Sequence, residues 1–129
     1  MSLRQCQSTE HADCDEDTAE LLIRLYKLGH SDVLQPLVAA GVHSDGAMSE
    51  LLGVFYGSVL KNHASQFVQT AQRLSPSEQE SVCELAASGD GGGIDPKVGS
   101  QIRRSLHAIG GTVAVRCLRE FDAADKREP

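Results

Sequence analysis

Apolar residues recur along most of this chain at intervals of three and four, the period of an α-helix with one buried face. The first run follows Asp15 to Thr18. Leu21, Leu22, Leu25 and Leu28 carry its stripe, the acidic group sits where a helix N-terminus favours negative charge, and Gly29 ends it. Ser31-Asp32 opens a short second helix through Val33, Leu34, Leu37 and Val38 to Gly41; Pro36 demands a later start or an irregular turn. Ser44-Asp45-Gly46 opens a third helix of about 17 residues, striped by Met48, Leu51, Leu52, Phe55 and Val59. Asn62-His63 then interrupts the pattern before a fourth helix carrying Phe67, Val68, Ala71 and Leu74.

The remaining helix starts are the clearest. Ser75-Pro76-Ser77-Glu78 combines an N-cap serine, proline at the first helical position and glutamate three after the cap, ahead of Val82, Cys83, Leu85 and Ala86. The stretch Ser88-Gly89-Asp90-Gly91-Gly92-Gly93 reads as a flexible loop, and Asp95-Pro96 restarts a helix. Its stripe of Val98, Ile102, Leu106, Ile109, Val113 and Cys117 passes straight through Gly110-Gly111, where each glycine costs about 1 kcal/mol against alanine and a kink is permitted. Thr112 to Leu118 alternates like a strand but has no partner strand. The expected fold is therefore all-α, a compact array of five to six short amphipathic helices forming a bundle or a HEAT/armadillo-like solenoid fragment. Residues 1–14 would be a loose arm, 15–121 a single helical domain and 122–129 a polar tail.

Composition narrows the partners. The chain has 129 residues, the size of one domain, and can bury a core without a metal or a dense disulfide framework. Aromatic residues make up 4%, with no Trp, too few for a surface that stacks nucleic-acid bases. A net charge of −6 repels phosphate backbones and anionic lipid and suits a basic protein partner. No apolar run approaches the roughly 20 residues of a membrane span. No charged and apolar leader follows Met1, but Met-Ser-Leu also fits a start put in place of a removed leader, so the compartment stays open.

Four cysteines, Cys6, Cys14, Cys83 and Cys117, allow two disulfides in three connectivities or four reduced thiols. Cys83 and Cys117 sit within apolar helical patterns, which favours thiols; Cys6 and Cys14 lie in a polar segment, which favours a bridge. In a straight antiparallel hairpin, Cys83 and Cys117 would stand some 20 Å or more apart along the helices. A disulfide needs Cα atoms within roughly 7 Å. Cys83–Cys117 can therefore bond only if the last helix breaks at Gly110-Gly111 and folds back.

Motifs that carry chemistry are weak throughout. Cys6, His11 and Cys14 give three zinc-type ligands with no fourth nearby. Asp90 to Asp95 places carboxylates at a turn and helix start, without EF-hand spacing. The same glycines lack the preceding strand and following Gly-Lys-Ser/Thr of a phosphate loop. Ser58-Val59-Leu60-Lys61 has the S-x-x-K spacing of serine acyl-enzymes but neither companion motif. His11, His30, His43, His63 and His107 are scattered. The expectation is a protein that is not an enzyme and takes no metal or cofactor. Gly53 and Gly57, four apart on one face, offer close approach to another helix or to a second copy. Positive charge gathers at Lys97, Arg103, Arg104, Arg116 and Arg119, and negative charge at Asp13, Asp15, Glu16, Asp17 and Glu20, a pattern that either balances internally or docks a basic partner.

The segments HSDGAMSELLGVFYGSVLKNHASQF and LSPSEQESVCELA have the look of small bacterial helical proteins of the HEAT-like sort. Among these the chain resembles the immunity proteins that neutralise type VI secreted peptidoglycan amidases, over residues 18–121, in helix count, size, acidity and spare cysteines. The resemblance implies a periplasmic homodimer, its leader removed, that inserts a loop into the amidase cleft. No residue of that family transfers directly. A polar inter-helix loop is the natural plug, first Ser88 to Asp95 (Ser88, Gly89, Asp90, Gly91, Gly92, Gly93 and Asp95), second the turn holding His43 and Asp45. The alternatives are a dimeric structural or regulatory helical protein without an enzyme target, and an enzyme or ligand-binding bundle.

Overall fold

The computed structural model describes residues 15–127 and is all-α. Cys6, His11 and Cys14, and with them the zinc reading and the Cys6–Cys14 bridge, lie outside the described residues. Helix α1 spans Glu16–Lys27, α2 Leu34–Ala40, α3 Gly46–Ala71, α4 Pro76–Ser88, α5 Pro96–Ile109 and α6 Thr112–Arg127, with 3-10 turns at Ser31–Val33 and Gly41–His43. Central α3 receives α1 and α2 in one region and α4 and α5 in another, while α6 packs on α4 and α5. Among the described residues no helix is long and apolar enough to cross a membrane.

The caps form as their sequences require. Asp15 accepts the Thr18 N–H at 2.8 Å, which satisfies an otherwise orphaned donor of α1. Ser75 accepts the Glu78 N–H at 3.3 Å while the Glu78 carboxylate accepts the Ser75 N–H at 2.8 Å, closing a capping box. Pro36 falls at the third position of α2, because the 3-10 turn absorbs Ser31–Val33 and the α-helix starts at Leu34. There its missing N–H would have had no intrahelical partner anyway. His63 departs from helical geometry (φ −145°, ψ 52°), so the expected break after Asn62 appears as a kink inside α3.

Two expectations change. The leucine stripe of α1 is only half buried. Its core face runs through Thr18, Ala19, Leu22 and Ile23, and Leu21 and Leu28 face solvent. Residues 122–127 of the expected polar tail are helical, since α6 continues to Arg127. Arg103 on α5 holds that last part: it donates to the Phe121 carbonyl at 3.2 Å, lies 3.4 Å from the Asp122 carboxylate and pairs with Asp125. This arginine spends its charge inside the fold rather than on a partner.

Tyr56 ties α2 to α3. Its ring is fully buried and its hydroxyl donates toward the Leu37 and Val38 carbonyls, 2.6 and 3.2 Å away, at the end of α2 where carbonyls lack helical partners. Burial pushes the phenol pKa far up, so it stays a neutral donor. Gly41 makes room for it: a Cβ there would sit 2.2 Å from the hydroxyl oxygen.

The last third reverses at Gly110 and Gly111, whose φ angles of 70° and 92° suit glycine alone. The run predicted as one long helix is thus two, α5 and α6, lying against each other. The fold-back brings Cys117 to Cys83 with Cα atoms 4.8 Å apart, and the two form a buried disulfide. The leaning toward free thiols at this pair is corrected: their apolar setting is the core, but the reversal makes it a shared one.

Two outcomes are expected. The bridge closes a separation of 34 residues, so Cys83→Ala/Cys117→Ala should lower unfolding free energy by about 3–4 kcal/mol in chemical denaturation. The backbone N–H of Ser75 holds the Glu78 carboxyl below its ordinary value of 4.5, so it adds stability above that value that is lost as pH falls through the lower folded pKa. Glu78→Gln keeps an acceptor but nothing to titrate. Its stability, followed by urea titration at about pH 6 to 3, should fall less on acidification than the wild type's.

Candidate functional site

The glycine-rich segment between α4 and α5 is ordered by its own backbone. Ser88 is the last residue of α4, and its carbonyl accepts N–H groups from Gly91 at 2.9 Å and Gly93 at 3.0 Å. Gly89 caps α4 at positive φ and donates to Leu85 at 3.1 Å; Asp90 folds back to accept the Gly92 N–H at 3.0 Å. The result is a small closed loop, Gly89–Gly93, in place of the flexible strand of chain that its composition suggests. Asp90, Gly91 and Gly92 are exposed, whereas Gly89 is buried.

Glycine on α3 explains where this loop sits. A Cβ on Gly53 would lie 2.1 Å from the Gly89 carbonyl oxygen and 2.8 Å from that of Leu85. Backbone therefore presses on backbone at that point. The close approach expected of Gly53 and Gly57 is met by the end of α4 and its loop within the same chain, which removes Gly53 as a face for a second copy. Gly57 faces Ile94, whose Cδ1 would be 3.4 Å from an added Cβ. As the one apolar residue between Ser88 and Pro96, Ile94 anchors the loop to the α3 flank.

Beside this contact lies an open groove of about 240 Å³. Gly53 and Gly57 form its floor, Val54, Ile94 and Val98 its apolar walls, and Asp90, Ser58 and Lys61 its rim. Val54 is 55% exposed there, an unusual posture for a large apolar side chain on a central helix. Val54, Gly57, Ser58 and Lys61 follow helical spacing along one strip of α3, so the groove is continuous along that helix. The Ser58 and Lys61 of the S-x-x-K pattern thus border the same groove as the loop.

The other candidates are dispersed. Asp95 uses its carboxylate on the Lys97 and Val98 N–H groups at 2.8 and 3.4 Å as the cap of α5, so it and Asp90 serve separate backbone donors. Among the described residues no three His, Cys, Asp or Glu side chains gather as a metal site requires. His43 and Asp45 are exposed at the start of α3, with His43 close enough to the N-terminal end of α4 to stabilise the Glu78 carboxylate. The glycine loop leaves the other end of that 13-residue helix, about 20 Å away. The two predicted plugs are therefore not one surface. Val54, Ile94 and Val98 were not singled out from sequence as site residues; Val54 shares a strip of α3 with Gly57, Ser58 and Lys61, whereas Ile94 and Val98 come from other elements and carry no such signal.

Comparison with known protein families, with characterised proteins and with solved structures finds no match to this chain.

The glycine contact gives a paired expectation. Gly53→Ala must displace backbone and should destabilise the fold by about 2 kcal/mol or more, while Gly57→Ala should stay within about 1 kcal/mol of wild type, helped by helix propensity. Thermal and urea unfolding of the two variants side by side checks this. Equal losses at both positions would mean that the close approach at Gly53 does not hold the loop.

Proposed function

We propose that this chain is a non-catalytic protein-binding module whose docking face is the Gly89–Gly93 loop together with the groove beside it. Its role in this reading is that of an immunity protein or inhibitor, blocking a cognate hydrolase by seating the loop in the enzyme's cleft. Type VI secreted peptidoglycan amidases are the class that the sequence resemblance names. The observation that carries the reading is the pre-formed loop: its exposed Asp90–Gly92 tip is held by hydrogen bonds from its own backbone, directly beside an apolar groove. A loop already in its bound shape loses little conformational entropy on docking. A tip of glycines can enter a narrow cleft, Asp90 brings a charge to pair there, and Val54 supplies the apolar contact a binding centre needs. An alternative, a dimeric helical protein with no enzyme target, draws its support from a different surface, the exposed leucines of α1.

The test is inhibition of peptidoglycan hydrolysis by purified type VI secreted amidases, any hydrolase encoded beside this chain's gene first among them. Wild-type protein is expected to inhibit at stoichiometric amounts. Asp90→Arg and Val54→Asp should each weaken inhibition at least about ten-fold, a loss of about 1.4 kcal/mol, with unfolding midpoints unchanged. Inhibition indifferent to both substitutions would remove the loop and groove from the mechanism, and failure to inhibit would remove the amidase reading.

A further inference from the structure

The sequence holds two Asp-Gly bonds, Asp45-Gly46 ahead of α3 and Asp90-Gly91 in the glycine loop, and both aspartates are exposed. In such a pair the glycine amide nitrogen can attack the aspartate's own side-chain carboxyl, because no Cβ on the second residue stands in the way. Neither glycine is crowded: a Cβ on Gly46 or Gly91 would meet nothing within 4 Å. Space therefore does not separate the two bonds. Hydrogen bonding does.

At Asp90 both reacting groups are occupied. The attacking nitrogen, Gly91 N–H, donates to the Ser88 carbonyl at 2.9 Å, and the carboxylate accepts the Gly92 N–H at 3.0 Å. Ring closure must break the first bond and swing the carboxylate off the second, in a loop that packs on α3 at Gly53 and Gly57. At Asp45 neither group is occupied. Gly46 is the first residue of α3, where an N–H has no intrahelical acceptor, and among the described residues no other group accepts it. Asp45 stands at the N-cap position, yet its side chain makes no cap hydrogen bond. The nearby hydroxyls of Ser44 and Ser49 serve each other at 2.9 Å. The Asp45 carbonyl takes the Ser49 N–H at a long 3.4 Å, so the first turn of α3 is loosely closed.

We propose that Asp45 is a site of spontaneous isomerisation to isoaspartate, and that the fold spares the chemically identical Asp90. The Gly46 amide nitrogen bonds to the side-chain carboxyl carbon of Asp45 and gives up its proton, and one carboxyl oxygen leaves as water. The product is a five-membered succinimide. Water then adds to either ring carbonyl and opens it. Opening at the α-carbonyl leaves the main chain running through the former side chain, with the mass of the protein unchanged. No reagent other than water takes part. The main chain gains a methylene where α3 begins, and the carbonyl that received the Ser49 N–H becomes a free carboxylate. That exposed carboxylate is the group on which an isoaspartyl carboxyl methyltransferase acts.

Ageing the full chain for several weeks at body temperature and neutral pH, folded and in urea, tests the proposal. Isoaspartate is mapped by peptide fragmentation that separates the isomers. In the folded protein it is expected at position 45 at least about ten-fold faster than at position 90. In urea the two positions should react at similar rates, because the hydrogen bonds that separate them are gone. An isoaspartyl methyltransferase should label aged wild type and leave aged Asp45→Glu almost unlabelled, since glutamate would have to close a larger ring. Folded protein that reacts equally at both positions, or faster at position 90, overturns the proposal. So does folded wild type that gains isoaspartate at neither position. A preference for position 45 that persists in urea would belong to the local sequence, and overturns the role given to the fold.

Discussion

The chain reversal at Gly110 and Gly111 decides what the C-terminal half of this protein becomes. Two consecutive residues at positive φ cannot be reached cheaply by any side chain with a Cβ, so only this dipeptide lets the long apolar stripe from Val98 to Cys117 fold onto itself. Once folded, α6 lies against both α4 and α5, and Cys117 arrives beside Cys83 in a fully buried position. The disulfide fixes α6 to α4, and Arg103 fixes the far part of α6 to α5 through Phe121, Asp122 and Asp125. These ties come from different chemistry at different points of α6, so the helix has little freedom to slide or swing.

That rigid C-terminal half determines the posture of the glycine loop. α4 is gripped by α6 on one side and pressed on α3 at Gly53 on the other, so the direction in which the chain leaves Ser88 is set by packing. The loop then closes within five residues and Ile94 returns it to α3. Its tip is exposed without being loose. A binding element of this kind draws its order from the scaffold, and its glycines allow backbone approach where side chains would collide.

Much of this was legible in the residues. The capping box at Ser75, the Asp95 cap, the break near His63 and the link between a fold-back and a Cys83–Cys117 bridge all rest on local rules that tertiary packing did not override. What the pattern missed depends on neighbours. Leu21 and Leu28 keep helical spacing yet face solvent, because α1 carries two apolar faces and periodicity alone does not say which one meets the core. Tyr56 lay beside the expected stripe of α3 and turned out to be a fully buried link to α2, since its value comes from carbonyls that only the fold places near it. The groove was invisible for the same reason: Val54 and Val98 come from separate helices, joined only when Ile94 docks the loop.

The two flanks of α3 also explain how one small domain can carry two exposed apolar surfaces. A helix at the centre of an array is normally covered all round, and here both of its coverings are partial. On one side the glycines of α3 draw the loop so close that Val54, one residue along, is left at the edge of the contact. On the other, α1 is short, turns Ala19, Leu22 and Ile23 into the core and sets Tyr26 on α3, so its second row of leucines stays exposed among the described residues. Both exposures follow from how the helices are spent on the core, and both sit next to charges of defined sign: Asp90 and Lys61 at the groove, the divided acids and bases on α1. Apolar surface bordered in that way favours particular partners over general adhesion, since wrong charge pairings oppose what the apolar contact would otherwise accept.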